Sequence, residues 1–238
     1  MNRVESFSAG VEVDSEGYRL AWCFELPGCA SLVLPGQDPH ERLSLAILEF
    51  MAWRHERSAD RLVVEPGAVQ LVETVHAPVP LGTGETEAFF HHDSLAAGGR
   101  EFPAWANAHD RALDEFRDLA LSLPPALLAN ALGGSGRTPS QVIEHAATAE
   151  QWFAGRLSAQ PAEVRVKLDP RMHFLEDAHR HLQQVVCDVP PATLQRHPAS
   201  QADLLEEWSV RKVMRRSTWH LRYHTAELRR AIGSFWLG

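Results

Sequence analysis

The fold is decided by one stretch near the end of the chain, Trp208-Ser-Val-Arg-Lys-Val-Met-Arg-Arg-Ser-Thr-Trp-His-Leu-Arg-Tyr-His-Thr-Ala-Glu-Leu-Arg-Arg-Ala-Ile232. One set of positions recurs at three- and four-residue steps, the period of one helix face. These positions are Val210, Met214, Ser217, Leu221, His224, Leu228 and Ile232. Most of the arginines fall on the opposite face. The pattern predicts one long amphipathic helix with a solvated basic side.

Two histidines, His220 and His224, lie one helical turn apart within or beside this apolar stripe. They are separated by about 6 Å along the helix axis. Their imidazoles can therefore converge on one metal ion at about 2.1 Å from each nitrogen. Two ligands do not complete a site, so the rest of the chain must supply others.

Composition is typical of a soluble globular protein: 238 residues, of which 45% are hydrophobic and 23% charged. The chain has no run of eighteen apolar residues and its first residues lack the apolar core of a signal peptide, so no membrane is expected. The three cysteines are widely spread, which favours reduced thiols and a cytoplasmic location. Residues 1–76 carry six Lys/Arg against twelve Asp/Glu, which argues against nucleic acid as a partner.

The first third of the chain predicts strands, one helix and another strand. Tyr18 to Leu26 alternates as a half-buried strand, between a short strand at Val11–Asp14 and a third at Cys29–Leu34. A helix is predicted from the N-cap Asp38, with Pro39 at its first position. Further strands are expected at Leu62–Val64 and Val69–Val75.

This order resembles the HicB-like fold. The resemblance rests on the Gly17-Tyr18 strand entry, the Leu26-Pro27-Gly28-Cys29 turn, Gly36 and the helix start Asp38-Pro39-His40-Glu41, within residues 8–76. It implies a small sheet with a packed helix, as found in antitoxins that carry a DNA-binding segment, although no such segment is evident here. Cys29 is expected to be a small buried side chain rather than a reactive thiol.

Residues 77–99 are rich in Pro, Gly and Thr and are predicted as a linker. Beyond it, helices are expected over Glu101–Leu121, from the capping box of Thr138 and Gln141 to Leu157, over Met172–Val186, and through the final stretch. Ala192–Glu206 is expected to be a polar crossing. Four amphipathic helices ended by prolines predict a four-helix bundle.

His145 on the second of these helices is a candidate third ligand beside His220 and His224. Bundles build metal sites from inward-facing side chains of neighbouring helices. The spacing alone is weak evidence, because a chain with 13 histidines is expected to contain about one such pair by chance. Packed core histidines without a metal are therefore the competing interpretation.

The second part of the chain resembles the DinB-like superfamily of metal-binding four-helix bundles. The resemblance rests on Thr138-Pro-Ser-Gln-Val-Ile-Glu-His145, Trp208-Ser-Val-Arg-Lys-Val-Met and Trp219-His-Leu-Arg-Tyr-His224. It implies that His145, His220 and His224 bind a divalent ion (Zn, Ni or Fe), and that a long crossover joins the second and third helices. It also implies thiol-dependent transferases or isomerases, although many such proteins have no known activity.

The fold class expected from the sequence is α+β, in two domains. A small HicB-like β-β-β-α-β domain spans 1–76, the linker 77–99, and an all-α DinB-like four-helix bundle 100–238. The expected function is a metal-dependent enzyme that activates a thiol or water for transfer or hydrolysis on a small molecule, for example a low-molecular-weight thiol. The alternative is a non-catalytic binding protein with a structural metal or a partner-recognising HicB-like domain. A homodimer is left open.

Several other residues near the candidate site admit two interpretations. Carboxylates that orient the ligating rings are sought among Glu150, Glu227 and Asp114, each of which is more simply a solvated helix charge. Cavity-lining aromatic residues are sought among Trp105, Trp152 and Tyr223, with core packing favoured for the tryptophans. The remaining histidine-rich patches, His91, His92, His173, His179 and His181, are expected at the surface.

Overall fold

The computed structural model describes residues 6–54, 68–81, 86–129, 136–158, 171–198 and 205–237. Of residues 171–173, 231 and 234–237 it describes the backbone alone. The fold is α+β, with a small sheet in the N-terminal part and a helical C-terminal part. None of the described helices is both long and apolar enough to cross a membrane.

The N-terminal part is a four-stranded sheet with one helix. Its elements are β1 (Phe7–Val13), β2 (Arg19–Cys23), β3 (Ala30–Val33), α1 (Pro39–Arg54) and β4 (Val69–His76). The strand order is β3-β2-β1-β4, in which β1 and β4 are parallel and the other pairs antiparallel. The predicted order of strands and helix is confirmed, while the strand expected at Leu62–Val64 lies outside the described residues.

Both faces of β2 are buried, so the prediction of a half-buried strand over residues 18–26 is wrong for this part of the strand. One face packs on α1, where Ala21 and Cys23 meet Leu43, Ile47 and Phe50. The other face carries Leu20, Trp22 and Phe24, which form a second core with Leu81, Ala88 and Phe90. The alternating pattern predicts that the face of β2 with residues 21 and 23 is exposed. The small side chains at these two positions instead leave room for α1 to pack there.

Residues 77–99, predicted as a linker, contain much of this second core. Phe90 is fully buried and lies so close to Gly10 that a Cβ there would be 2.6 Å from its ring. The hydroxyl of Thr86 donates a hydrogen bond to the buried carboxylate of Glu12. A short helix, α2 (His91–Ser94), follows. The described part of this segment is thus packed against the sheet rather than extended in solvent.

The C-terminal part is built from four long helices, as predicted. They are α3 (Glu101–Ser122), α5 (Pro139–Leu157), α6 (Arg171–Asp188) and α7 (Val210–Leu237), and the short α4 (Pro125–Leu128) follows α3. The predicted capping box is present: Thr138 Oγ1 accepts from the Gln141 backbone N–H, and the Gln141 side chain accepts from that of Thr138. Helices α3 and α5 each contact both α6 and α7, so the four helices pack in a ring.

Two expectations about the region before and within α7 are wrong. The C-terminal part is not all-α, because the polar crossing over 192–206 contains strand β5 (Leu194–Pro198), which pairs antiparallel with β6 (Leu205–Ser209). Trp208 therefore lies in β6, and α7 begins at Val210. The basic side of α7 is solvated at Arg229 and Arg230 but not in its first turns, where Lys212, Arg215 and Arg216 are buried against carboxylates of Glu206 and Asp93.

Candidate metal centre

Three histidines from two helices meet at one point between α5 and α7. His145 lies on α5, and His220 and His224 lie one turn apart on α7. The Nε2 atom of His220 is 3.1 Å from Nε2 of His145 and 3.1 Å from Nε2 of His224. All three nitrogens lie within 4.8 Å of one another. The structure thus brings together the three residues that the sequence predicts as ligands.

Hydrogen bonds between the rings do not account for both of the short contacts of His220. A neutral imidazole nitrogen carries either one proton or one in-plane lone pair, so Nε2 of His220 can make one good hydrogen bond. It nevertheless faces two other ring nitrogens at hydrogen-bonding distance. Nitrogen ligands about 2.1 Å from a tetrahedral ion are spaced by roughly 3.4 Å. The observed spacing is close to that value, so the donor set fits a divalent ion.

Glu227 orients one of the three rings. Its Oε2 accepts a hydrogen bond from Nδ1 of His224 at 2.7 Å, and both side chains are buried. This bond places the proton of a neutral His224 on Nδ1 and leaves the Nε2 lone pair directed at the centre. Carboxylates in this position commonly support metal-ligating histidines. Of the three carboxylates sought in the sequence, Glu227 is the one that contacts a candidate ligand.

The surroundings keep two of the rings neutral. Burial, together with the nearby His224 and Arg137, lowers the pKa of His145 to about 4. Burial likewise lowers the pKa of His220 well below its usual value, with contributions from His224 and His145. A neutral imidazole is the form that binds a metal ion, so these two rings are ready to bind near pH 7.

The three histidines form part of the wall of a cavity of about 280 Å³. This volume is just below the range of about 300–1,000 Å³ that is typical of sites for drug-sized molecules. The cavity is lined by Arg137, His145, Thr148, Ala149, Trp152, Phe153, Arg216, Trp219, His220, Tyr223 and His224. Two of the aromatic residues sought in the sequence, Trp152 and Tyr223, line it. Trp105 does not, because it is fully buried in the core between the helices.

Charge in this cavity is one-sided. Arg137 and Arg216 contribute guanidinium groups, and none of the described residues that line the cavity is Asp or Glu. Arg156 lies over the ring of Trp152, with its guanidinium carbon 4.3 Å from the ring centroid. The guanidinium of Arg216 is also 3.3 Å from the carboxylate of Glu206, so Arg137 is the lining residue that brings positive charge to the cavity.

The N-terminal sheet holds α7 in place beside the site. Trp22 of β2 packs edge-on against Trp219, with ring centroids 5.3 Å apart. The turn at Gly28 approaches α7 so closely that a Cβ there would lie 2.5 Å from Thr218 Cγ2. Arg222, two residues after His220, places its guanidinium over the rings of Phe50 and Trp53 of α1. The sheet and α1 thus pack on the same turns of α7 that carry the histidines.

The other candidate residues lie elsewhere. Asp114 pairs with Arg117 at the surface, as expected of a solvated helix charge. Glu150 is fully buried, but it contacts His109 and His179 rather than the candidate ligands. Cys29 is buried and burial raises its pKa to about 12, in keeping with a packing role.

Sequence reasoning missed the grouping of His109, Glu150 and His179. The surface expectation holds for His91 but is wrong for His179, which is buried. His92 and His181 are half-buried, and the side chain of His173 lies outside the described part of the chain. The signal was present: His109 continues the apolar stripe of Trp105, Ala112 and Phe116, and Glu150 continues that of α5. A titratable side chain that lies on the apolar stripe of a helix, where other helices carry similar side chains, indicates such a buried group.

In comparisons with known proteins, no protein family, curated protein or solved structure matches this chain. The chemistry of the site is therefore inferred from its own side chains.

Proposed function

We propose that the protein is a metal-dependent enzyme that acts on a small molecule. His145, His220 and His224 hold a divalent ion (zinc, nickel or iron) through their Nε2 atoms. The observation that carries the proposal is the convergence of these three nitrogens at the wall of a cavity. When bound, such an ion lowers the pKa of a thiol or water so that it becomes a nucleophile near neutral pH.

An open coordination position supports catalysis over a purely structural role. Structural zinc sites normally have four protein ligands, whereas catalytic sites keep a position for water or substrate. Among the described residues, the group around His220 contains three candidate ligands and no fourth His, Cys, Asp or Glu. The open side faces the cavity, where a small molecule has access to the centre.

The cavity walls indicate what kind of molecule is bound. Arg137 provides positive charge for an anionic group, and Arg suits carboxylates because its N–H groups bind them in pairs. Trp152, Phe153 and Tyr223 provide apolar surface for the remainder of the ligand. The substrate class that agrees best with these walls is a small anionic thiol, such as one bearing a carboxylate.

The proposed reaction is transfer of this thiol to an electrophile, with hydrolysis as the variant in which water takes its place. The thiol loses its proton to solvent, its sulfur forms a bond to an electrophilic carbon, and the leaving group departs with the bonding electrons. Arg137 holds the anionic group, and the three histidines and Glu227 keep the reacting end at a fixed position.

The two family resemblances are also part of this proposal. The β1-β2-β3-α1-β4 order supports a HicB-like N-terminal domain, and histidines on the second and fourth long helices support a DinB-like bundle. The crossover implied between the second and third helices lies at 159–170, outside the described residues. Cys23, Cys29 and Cys187 are all free, which supports a reducing compartment such as the cytoplasm.

A matched pair of thiols tests the proposal. Cobalt-loaded protein is titrated with mercaptopropionate, which is anionic, and with mercaptoethanol, which is neutral. Product formation with a dinitrophenyl halide is then followed. We expect both thiols to change the cobalt spectrum and mercaptopropionate to bind more tightly. Arg137→Gln should reduce that preference, whereas the exposed Arg196→Gln should leave it unchanged.

Two results would count against this function. If neither thiol alters the cobalt spectrum or yields a conjugate, thiol transfer is excluded and ester hydrolysis is assayed with the same variants. If neither reaction is detected and the bound ion has a fourth protein ligand, the site is structural and the non-catalytic alternative is favoured.

A further inference from the structure

A second group of potential metal ligands lies inside the bundle, away from the cavity. His109 is on α3, Glu150 on α5 and His179 on α6. The side chains of His109 and Glu150 are fully buried and that of His179 is 2% exposed. None of the three lines the cavity beside His220. Since Glu150 follows His145 by five residues, the groups lie about 7.5 Å apart along α5 and on different faces of it.

The contacts within this group are long for hydrogen bonds. Glu150 Oε2 is 3.2 Å from Nε2 of His109 and 3.3 Å from Nδ1 of His179. Hydrogen bonds between a charged carboxylate and a nitrogen donor are normally about 2.7–2.9 Å. Within the described residues, Glu150 Oε2 and His179 Nδ1 have no hydrogen-bond partner, although both are buried. Two buried polar atoms thus point at the same place without a hydrogen bond between them.

A metal ion between these side chains explains the spacing. Oxygen and nitrogen ligands at about 2.0–2.1 Å from a tetrahedral zinc ion are separated by roughly 3.3 Å. The observed separations are 3.2 and 3.3 Å. Both carboxylate oxygens lie near His109, because Oε1 is 3.3 Å from its Nε2. Glu150 binding through two oxygens would supply four donor atoms in total.

The atoms behind the ligands also suit a metal site. Nε2 of His179 is 2.9 Å from Oδ1 of Asp110, which also accepts a bond from Gln183. This bond places the proton of a neutral His179 on Nε2 and directs the Nδ1 lone pair at Glu150. A carboxylate behind the ligating histidine is the usual support in zinc sites. On the other side, the ring of Trp105 stacks on His109 with centroids 4.9 Å apart.

We infer that His109, Glu150 and His179 form a second, structural zinc site that joins α3, α5 and α6. Two imidazoles and a carboxylate are a donor set that zinc accepts. The group is enclosed by the helices, so the ion stabilises the bundle and does not meet substrate. This site is independent of the proposed catalytic centre, since the two share no ligand.

Metal counting with single-site variants tests this inference. Zinc-loaded wild-type protein, freed of loosely bound ions, is expected to contain two zinc ions per chain. Glu150→Gln should contain one, and so should His220→Ala, which leaves the second group intact. Glu144→Gln, an exposed residue of the same helix, should still contain two. His145→Ala removes another ligand of the same cavity-side centre and should also contain one zinc ion.

The result that overturns the second site is one zinc in the wild type and none in both His220→Ala and His145→Ala. In that case a protonated His179 between Asp110 and Glu150 holds the group together without a metal. If Glu150→Gln does not fold, the histidine variants decide the question, because they alter only the other group. If the wild type contains one zinc ion that His220→Ala and His145→Ala retain and Glu150→Gln loses, the second site is supported and the proposed function is contradicted.

Discussion

At the scale of single residues, the candidate site depends on how each imidazole is held. His224 is fixed by Glu227, whereas His145 and His220 face it from α5 and from one turn earlier on α7. Each ring can direct its Nε2 atom at the common centre only if its helix keeps the same rotation about its own axis. Small changes in the supporting contacts should therefore lower the metal affinity of the site without unfolding the protein.

Glu227→Gln tests this support. The amide keeps the shape of the side chain but accepts a weaker hydrogen bond from His224 Nδ1, so we expect zinc affinity at the cavity-side centre to fall roughly 10–100-fold. Affinity is measured by competition with a coloured chelator. Glu144→Gln serves as the control because Glu144 is exposed on α5. Equal affinities in the two variants would mean that Glu227 has no role in orienting the ring.

Lys212 provides a pH-dependent prediction. It is fully buried, and burial lowers its pKa from 10.5 to about 7, with Arg216 adding to the effect. Between these two values the unfolded chain binds a proton that the folded chain does not, so raising the pH through this range increases stability. A pKa that falls from 10.5 to about 7 corresponds to a change of roughly 5 kcal/mol over the whole of that range.

The measurement for Lys212 is the difference in unfolding free energy between the wild type and Lys212→Met. We expect this difference to move in favour of the wild type as the pH rises from 6 to about 10. Using the difference removes other titrating groups that both proteins share. If it stays constant, Lys212 keeps its proton in the folded protein, held by the Glu206 carboxylate 2.8 Å away.

These residues also show what a sequence can predict. The His220/His224 pair and the Thr138 cap depend on neighbours three or four positions away, which the sequence displays directly. The burial of Lys212 and Glu150 depends on partners outside their own helices. Charge alone predicts exposure for both side chains. The position of Glu150 on the apolar stripe of α5 is a local sign of its burial, whereas Lys212 lies off the stripe of α7 and has no such sign.

At the scale of elements, the contact between the Gly28 turn and α7 is the closest link between the sheet and the candidate site. Gly28 has a φ of +94° and a Cβ there would lie 2.5 Å from Thr218 Cγ2 and 3.3 Å from the backbone nitrogen of Trp219. Any side chain at 28 must therefore push α7 away just before His220. The sequence predicts this turn, but not the surface on which it packs.

Gly28→Ala and Gly36→Ala form a matched pair. Both glycines have positive φ, which costs an alanine about 1–2 kcal/mol, but Gly36 has no atom within 4 Å of an added Cβ. Gly36→Ala should therefore show only this backbone cost in chemical denaturation. Gly28→Ala should be less stable still and should bind zinc more weakly at the cavity-side centre. Identical stability and zinc binding would show that the turn does not constrain α7.

At the scale of the whole molecule, residues 86–93 join the two parts. Arg215 of α7 donates to Asp93 at 3.1 and 2.6 Å and to the Ala88 carbonyl at 2.8 Å. Lys212 donates to the Glu87 carbonyl at 2.9 Å. The segment that composition suggests as a linker is thus held between the sheet and α7. Proline and glycine content predicted irregular backbone there, but not its burial.

Asp93→Asn measures how strongly this segment couples the two parts. The change leaves Arg215 buried without a full counter-charge, for which we expect a loss of about 3–5 kcal/mol in unfolding free energy. Asp177→Asn breaks an exposed pair with Arg180 and should cost less than about 1 kcal/mol. A similar small loss in both variants would indicate that the sheet and the helices are stable without this contact.

The central claim is that one divalent ion is held by imidazoles from two helices at the wall of the cavity. Anomalous diffraction from crystals of zinc-loaded wild-type protein tests it most directly. We expect a peak about 2.1 Å from the Nε2 atoms of His145, His220 and His224, with no fourth protein ligand. The claim would be contradicted by a map that shows zinc peaks elsewhere in the protein but none among these rings, with the three imidazoles turned away from one another.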